Sequence, residues 1–212
     1  MRLNNIKIFK KAYEKLSKDP VMNFLIKKLK NKIGISDRKE INHAKAISNL
    51  IIEQQISYKA AITVKRRFNL LIKGMSNQNI LSIKNDRIQS IGISKKKAEY
   101  IKNVYTFFNQ FDSDLNKMNH DDVFNELIKI KGVGSWTINM FLLFNLGNPN
   151  IFSSKDFALI NSIKLNYNLK SVSSKKIDSL KKNWEPFMSV ASLLLWASIE
   201  NEVFYTRDKC EK

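Results

Sequence analysis

The sequence predicts an all-α protein, compact enough to enclose a hydrophobic core. Breakers of helices are scarce: there are 6 glycines and 3 prolines in 212 residues. Apolar residues recur three or four positions apart, which is the spacing of one helix face, and alternation typical of strands is hard to find. The helical spacing is seen in three segments: Ile47, Leu50 and Ile51; Ala61, Val64, Phe68 and Leu71; and Ala98, Ile101, Tyr105 and Phe108.

Capping residues mark where several of these helices begin. Asp19-Pro20 and Glu185-Pro186 each place proline where a first helical turn tolerates it. Ser57 and Ser76 precede apolar periodic stretches, and serine is a favoured N-cap. We therefore predict helix starts at these four positions.

Two segments are apolar nearly all round, residues 136–144 and 187–196. A helix without a polar face is buried on most sides. We expect both segments to form helices in the protein interior.

The charge and the rare residues limit the class of protein. There are 37 Lys plus Arg against 19 Asp plus Glu, a net charge of +18. A lone Cys210 excludes a disulfide framework and a cysteine-ligated iron–sulfur cluster. His43 and His120 are too few for a histidine-rich metal centre. The sequence starts without the apolar core of a signal peptide, and residues 187–199 are too short and too serine-rich to span a bilayer.

The positive charge favours an anionic partner. Duplex DNA presents one negative charge every ~1.7 Å, so a large surplus of lysine suits nucleic acid. No single helix sets basic residues opposite a broad aromatic face, which makes a membrane surface the weaker alternative. A third explanation of the charge is that many lysines simply lie on the solvated surface of a chain that is rich in Lys, Asn and Ile.

The most informative segment is 121–144, which predicts two helices joined by the turn Lys131-Gly132-Val133-Gly134. Two glycines one residue apart allow a tight turn with positive φ. We expect the backbone N–H groups of Gly132, Val133 and Gly134 to point outward at the start of the second helix, where they suit a phosphate. From these residues alone, an ordinary helix–turn–helix corner is the alternative.

This segment resembles the hairpin of the helix-hairpin-helix DNA glycosylase superfamily, and other motifs resemble its 3-methyladenine DNA glycosylase II branch. Six matches follow one another in order over most of the chain: Asp19-Pro20-Val21-Met22, Ile52-Glu53-Gln54-Gln55-Ile56-Ser57, Gly92-Ile93-Ser94-Lys95-Lys96-Lys97-Ala98, the hairpin, Phe152-Ser153-Ser154-Lys155-Asp156, and Trp184-Glu185-Pro186-Phe187 with Leu195-Trp196. The sequence departs from the family at Glu53, where many relatives have Gly, and at Met188, often Arg.

The resemblance implies one glycosylase unit, with two helical subdomains flanking a cleft. The central subdomain is expected at about 40–150, with the hairpin at 121–144. Residues 1–35 and 151–205 are expected to form the second subdomain together. The N-terminal β-rich domain of some members is not expected.

The resemblance also assigns site residues. Asp156 matches the catalytic acid, 22 positions after Gly134. The base-pocket positions correspond to Trp136, Met140, Phe157 and Trp196. Gln55 corresponds to the wedge that fills the gap left by an everted base, and Gly132, Val133 and Gly134 to the phosphate-binding turn. The residue types alone permit blander roles: an N-cap for Asp156, core packing for the four pocket residues and an ordinary loop position for Gln55.

The expected activity is excision of alkylated purines from damaged double-stranded DNA, by a monomer in the cytoplasm, associated with the nucleoid. Trp136 stands where bifunctional relatives have their nucleophilic lysine, so no strand-nicking lyase activity is expected. The resemblance implies that no cofactor is required, although hairpin carbonyls of this fold can hold a monovalent cation. The alternatives are a non-catalytic helix-hairpin-helix DNA-binding protein and a glycosylase for oxidised or mismatched bases.

Overall fold

The computed structural model describes residues 2–3, 6–35 and 39–205, and these residues form twelve α-helices and no β-strand. The predicted all-α fold class is confirmed. Cys210 lies outside the described residues. In chain order the helices are α1 (Ile6–Leu16), α2 (Pro20–Leu29), α3 (His43–Glu53), α4 (Tyr58–Leu71), α5 (Asn77–Leu81), α6 (Asn85–Gln89), α7 (Lys95–Gln110), α8 (His120–Leu127), α9 (Ser135–Phe144), α10 (Phe157–Asn166), α11 (Ser174–Trp184) and α12 (Met188–Glu200).

The chain divides into two compact units. An internal unit comprises residues 39–141, and a terminal unit comprises 1–38 with 142–212. In the internal unit, α7 packs against α3, α5 and α6. In the terminal unit, α12 packs against α2 and α10.

Helix α12 forms the centre of the terminal unit. Ten of its residues are buried, as its apolar sequence predicts. Two of its buried hydroxyls donate to backbone carbonyls: Ser189 to that of Asn148 at 2.7 Å, and Ser192 to that of Met188, one turn earlier, at 2.9 Å. Serines therefore sit in this core without an unpaired hydroxyl at either position.

Three of the four predicted helix starts are confirmed. Asp19 caps α2, with Pro20 as the first helical residue, and Ser57 and Ser76 cap α4 and α5 through their hydroxyls. The prediction at Pro186 is wrong, because α12 begins only at Met188. Since α11 runs on to Trp184, the Glu185-Pro186 dipeptide is needed for the turn between the two helices.

No helix in the described part of the chain combines the length and the apolar character that crossing a membrane requires.

Candidate active site and DNA-binding turn

Asp156 is a buried carboxylate held by two hydrogen bonds. It is the N-cap of α10, and its Oδ1 accepts from the Leu159 amide at 2.9 Å. The same oxygen accepts from the Trp196 indole Nε1 at 3.1 Å. The side chain is 8% exposed. Burial of a carboxylate requires such donors, and the N-terminus of a helix stabilises negative charge.

The N-cap role is one that the residue type of Asp156 alone permits, and the structure shows it in that role. The N-cap role and the proposed catalytic role thus fall on one side chain, and the two roles are compatible because a cap needs only one carboxylate oxygen.

Trp196 reaches Asp156 from α12. Its ring stacks on Phe144, with centroids 5.9 Å apart and planes 26° from parallel. Phe144 is buried, so one face of the indole rests on the core of the terminal unit. The sequence gives no sign of the hydrogen bond between Trp196 and Asp156, because the two residues are 40 positions apart. The structure thus brings two of the predicted site residues together.

Phe157 directly follows Asp156 and is the first residue of α10. The residue is 85% exposed, and among the described residues it is the one exposed phenylalanine. Core packing, the alternative role for this residue, is therefore excluded. An aromatic side chain left in water beside a buried carboxylate suits contact with a ligand.

Gly132 is required by the geometry of the hairpin turn. Its φ is +102°, and a Cβ placed on it would lie 2.1 Å from Cγ of Tyr100. No other residue type fits both constraints. Tyr100 belongs to α7, so sequence reasoning on the hairpin alone missed this contact. The Lys131 carbonyl next to it accepts from Asn103 Nδ2, also on α7, at 3.1 Å.

The other two turn residues differ from Gly132. Gly134 does not have a positive φ, a Cβ on it would meet nothing within 4 Å, and its carbonyl accepts from the Ile138 amide at the start of α9. Val133 is buried, and its amide donates to the Ile130 carbonyl at 3.0 Å. The expectation of an outward N–H group at Val133 is therefore corrected, because that group closes the turn.

The hairpin carbonyls are the groups that can hold a monovalent cation in this fold. Those of Ile130, Lys131 and Gly132 accept hydrogen bonds from Val133, Asn103 and Gln54 respectively. Each of these three carbonyls thus has one protein donor and keeps a second lone pair. In the described residues no cluster of three or more His, Cys, Asp or Glu side chains could hold a metal ion.

Trp136 and Met140 lie one turn apart on α9. Trp136 is half-buried, whereas Met140 is buried. Their role as walls of a base pocket stays a prediction.

Gln55 lies in the α3–α4 loop, and its backbone is left-handed at φ +57°. This conformation is uncommon for a residue other than glycine and costs on the order of 1 kcal/mol. Its side chain is exposed. The preceding residue, Gln54, was not singled out from the sequence, although its Nε2 donates to Thr137 Oγ1 at 2.9 Å and so links the loop to α9.

Comparisons with known proteins identify the family. The profile of the HhH-GPD superfamily of base excision DNA repair proteins matches residues 49–187. The chain belongs to this superfamily.

Individual relatives agree with that assignment. The Bacillus subtilis protein YfjP is 32% identical over 162 residues, which cover 71% of this chain and 56% of YfjP. A DNA-3-methyladenine glycosylase of the same organism is 28% identical over 202 residues, covering 87% of this chain and 65% of the relative. This chain thus spans less than two thirds of the length of either relative.

A solved structure has the same fold. It is the Schizosaccharomyces pombe 3-methyladenine DNA glycosylase Mag1 in complex with abasic DNA. The TM-score is 0.84 at 20% identity, and the match covers 93% of this chain and all of the Mag1 chain.

Proposed function

We propose that the protein is a monofunctional DNA glycosylase that excises alkylated purines, of the 3-methyladenine type, from duplex DNA. The observation that carries the proposal is the buried carboxylate of Asp156, fixed by the Leu159 amide and the Trp196 indole beside the exposed ring of Phe157. Membership of a base excision repair superfamily and relatives named as 3-methyladenine glycosylases support the substrate class.

In this proposal the chemistry depends on charge. Cleavage of the N-glycosidic bond builds positive charge on the deoxyribose as the base departs. A carboxylate fixed near the anomeric carbon stabilises that charge and can orient the attacking water. Because two donors already hold Asp156, little reorganisation is needed when the charge develops. A purine alkylated at N3 or N7 is itself cationic, so it leaves without a general acid.

The aromatic residues fit a cationic base. A positive purine stacked on tryptophan or phenylalanine gains ~0.5–2 kcal/mol per contact. The candidate residues are Trp136, Phe157 and Trp196, with Met140 one turn beyond Trp136. We also propose Gln55 as the side chain that takes the place of the everted base in the duplex.

The same reasoning excludes a covalent mechanism from the hairpin. Trp136 has no amine, so no Schiff base can form there. We expect the product to be an intact strand with an abasic site. Because the substrate is damaged chromosomal DNA, we place the activity at the nucleoid in the cytoplasm, and we propose that the protein acts as a monomer.

The decisive experiment is release of labelled bases from methylated duplex DNA. Wild type should release 3-methyladenine, and Asp156→Asn should release essentially none, while both bind DNA similarly. Asparagine preserves the N-cap acceptor, so the variant should fold normally. Asp19→Asn, which alters the capping aspartate of α2, is the matched control and should retain activity.

The alternative outcomes are informative. DNA binding without base release by wild type would indicate the non-catalytic helix-hairpin-helix protein. Release of only oxidised or mismatched bases would show that the enzyme is a glycosylase for those bases and not for alkylated purines. Trapping of the protein on DNA by borohydride would contradict the monofunctional assignment.

A further inference from the structure

The α3–α4 loop that carries Gln55 is braced by a lysine from α7. Lys97 Nζ donates to the Ile52 carbonyl at 2.9 Å and to the Gln54 carbonyl at 2.5 Å. Both acceptors lie at the C-terminal end of α3, where carbonyls lack intrahelical partners and carry the negative end of the helix dipole. The ammonium group therefore satisfies orphan acceptors and binds the residues on both sides of Glu53.

The position of Lys97 follows from the motif Gly92-Ile93-Ser94-Lys95-Lys96-Lys97-Ala98. Gly92 has φ +99°, and a Cβ there would meet Val64 at 3.4 Å. Ser94 caps α7 and accepts from the Lys97 amide. Ala98 is fully buried. These residues place the first turn of α7 beneath the end of α3, and this explains a motif to which the proposed function assigns no role.

Two further contacts hold the same loop. Glu53 forms an ion pair with Lys65 on α4. Gln54 donates to Thr137 Oγ1, which is buried on α9 next to the hairpin turn. The left-handed Gln55 thus follows a residue fixed on both sides, through its carbonyl by Lys97 and through its side-chain amide by Thr137.

Partial burial distinguishes Lys97 from the two lysines before it. Burial lowers the pKa of the Lys97 ammonium group, whereas Lys95 and Lys96 are exposed. A lysine whose ammonium group already donates hydrogen bonds to two backbone carbonyls is a poor candidate for a phosphate contact. It differs in this respect from its neighbours in sequence.

We propose that Lys97 is a positioning residue, whose bonds to the Ile52 and Gln54 carbonyls fix the loop that presents Gln55 to the DNA. The role of Gln55 at the DNA rests on the proposed function, whereas the contacts of Lys97 with the loop rest on the structure alone. It predicts that loss of the Lys97 amine disturbs base eversion more than the chemistry that follows it.

The test compares Lys97→Met with Lys102→Met. Lys102 lies on the same helix, and its Nζ likewise donates to a carbonyl at a helix end, that of Leu81 at 3.0 Å. The control therefore removes an equivalent lysine–carbonyl bond without touching the α3–α4 loop. Lys97→Arg, which restores a cation with several donors, should recover part of any loss.

The first measurement is amide hydrogen exchange of residues 53–57 in the free protein. Exchange should be about tenfold faster in Lys97→Met and unchanged in Lys102→Met, because two bonds to a charged donor are lost only in the former. Unchanged exchange in Lys97→Met would overturn the brace, whether or not the protein excises bases.

The second measurement is single-turnover excision of one lesion in two contexts, fully paired and opposite an unpaired gap. Lys97→Met should slow excision about tenfold from the paired duplex and less than about threefold from the gapped one, because the wedge matters most when a stacked, paired base must be expelled. An equal loss on both substrates would contradict the positioning role. Absence of excision by wild type would refute the proposed function but leave the exchange result to decide on the brace.

Discussion

The Trp196 indole donates a hydrogen bond to Oδ1 of Asp156 across 3.1 Å, which joins α12 to the N-terminus of α10. The N–H group of this tryptophan restrains the carboxylate. Stacking of its ring on a base stays a prediction from the family resemblance. The hydrogen bond directly links this predicted pocket residue to the proposed catalytic group.

Removal of that N–H group should slow catalysis without unfolding the protein. Trp196→Phe keeps an aromatic ring on Phe144 but removes the donor. A hydrogen bond to a charged group contributes about 1.5–3 kcal/mol, so base release should slow about 10- to 100-fold. Single-turnover excision checks this, with thermal unfolding as the control. An unchanged rate would show that the Trp196 donor is not needed to orient the acid.

Substitution by alanine should destabilise the protein much more at Gly132 than at Gly134. Gly132→Ala forces a Cβ into the Tyr100 ring at a positive φ, which should destabilise the protein by about 2–5 kcal/mol. Gly134→Ala meets no neighbouring atom and should cost less than about 1 kcal/mol, while weakening DNA binding at the turn. Urea unfolding and DNA titration separate the two effects. Similar destabilisation by both substitutions would contradict the geometry of the turn.

Gln55→Gly should raise stability and lower activity. Glycine adopts φ +57° without strain, so unfolding should become harder by about 0.5–1 kcal/mol. The same change deletes the proposed wedge, so preference for abasic over intact duplex should fall. Calorimetry and competition binding measure the two quantities. A loss of stability, or retained preference for abasic duplex, would count against this account of the loop.

His43 should make the folded protein sensitive to mild acid. Burial lowers the pKa of its imidazole, and the nearby Asp114 opposes this only in part. Because the unfolded state, with a histidine pKa of about 6.5, then binds the proton first, this contribution to stability is present above that pH and is lost as pH falls toward the folded pKa. His43→Gln should flatten the change in unfolding free energy between pH 7.5 and 5.5. An equally steep change in the variant would exclude His43 as its source.

Local signals in the sequence predicted the elements better than the contacts between them. Helical spacing marked Ala98, Ile101, Tyr105 and Phe108; the first three are buried on α7, and Phe108 is half-buried. The hairpin pattern predicted a tight turn but could not tell which glycine has no room for a Cβ, since the Tyr100 ring that fills this space lies on another helix. The hydrogen bond between Asp156 and Trp196 could not be predicted from local sequence patterns either, because it joins separate helices that meet only when the chain packs.

The three consecutive lysines that open α7 are chemically unequal. Lys95 is exposed, Lys96 extends over the Tyr100 ring at 5.9 Å, and Lys97 is engaged with two backbone carbonyls. An acylating reagent should therefore modify the first two readily and spare the third. Mass spectrometry of the labelled peptide would then act as a footprint of the α3–α4 loop, because the Lys97 amine becomes reactive only when that loop opens.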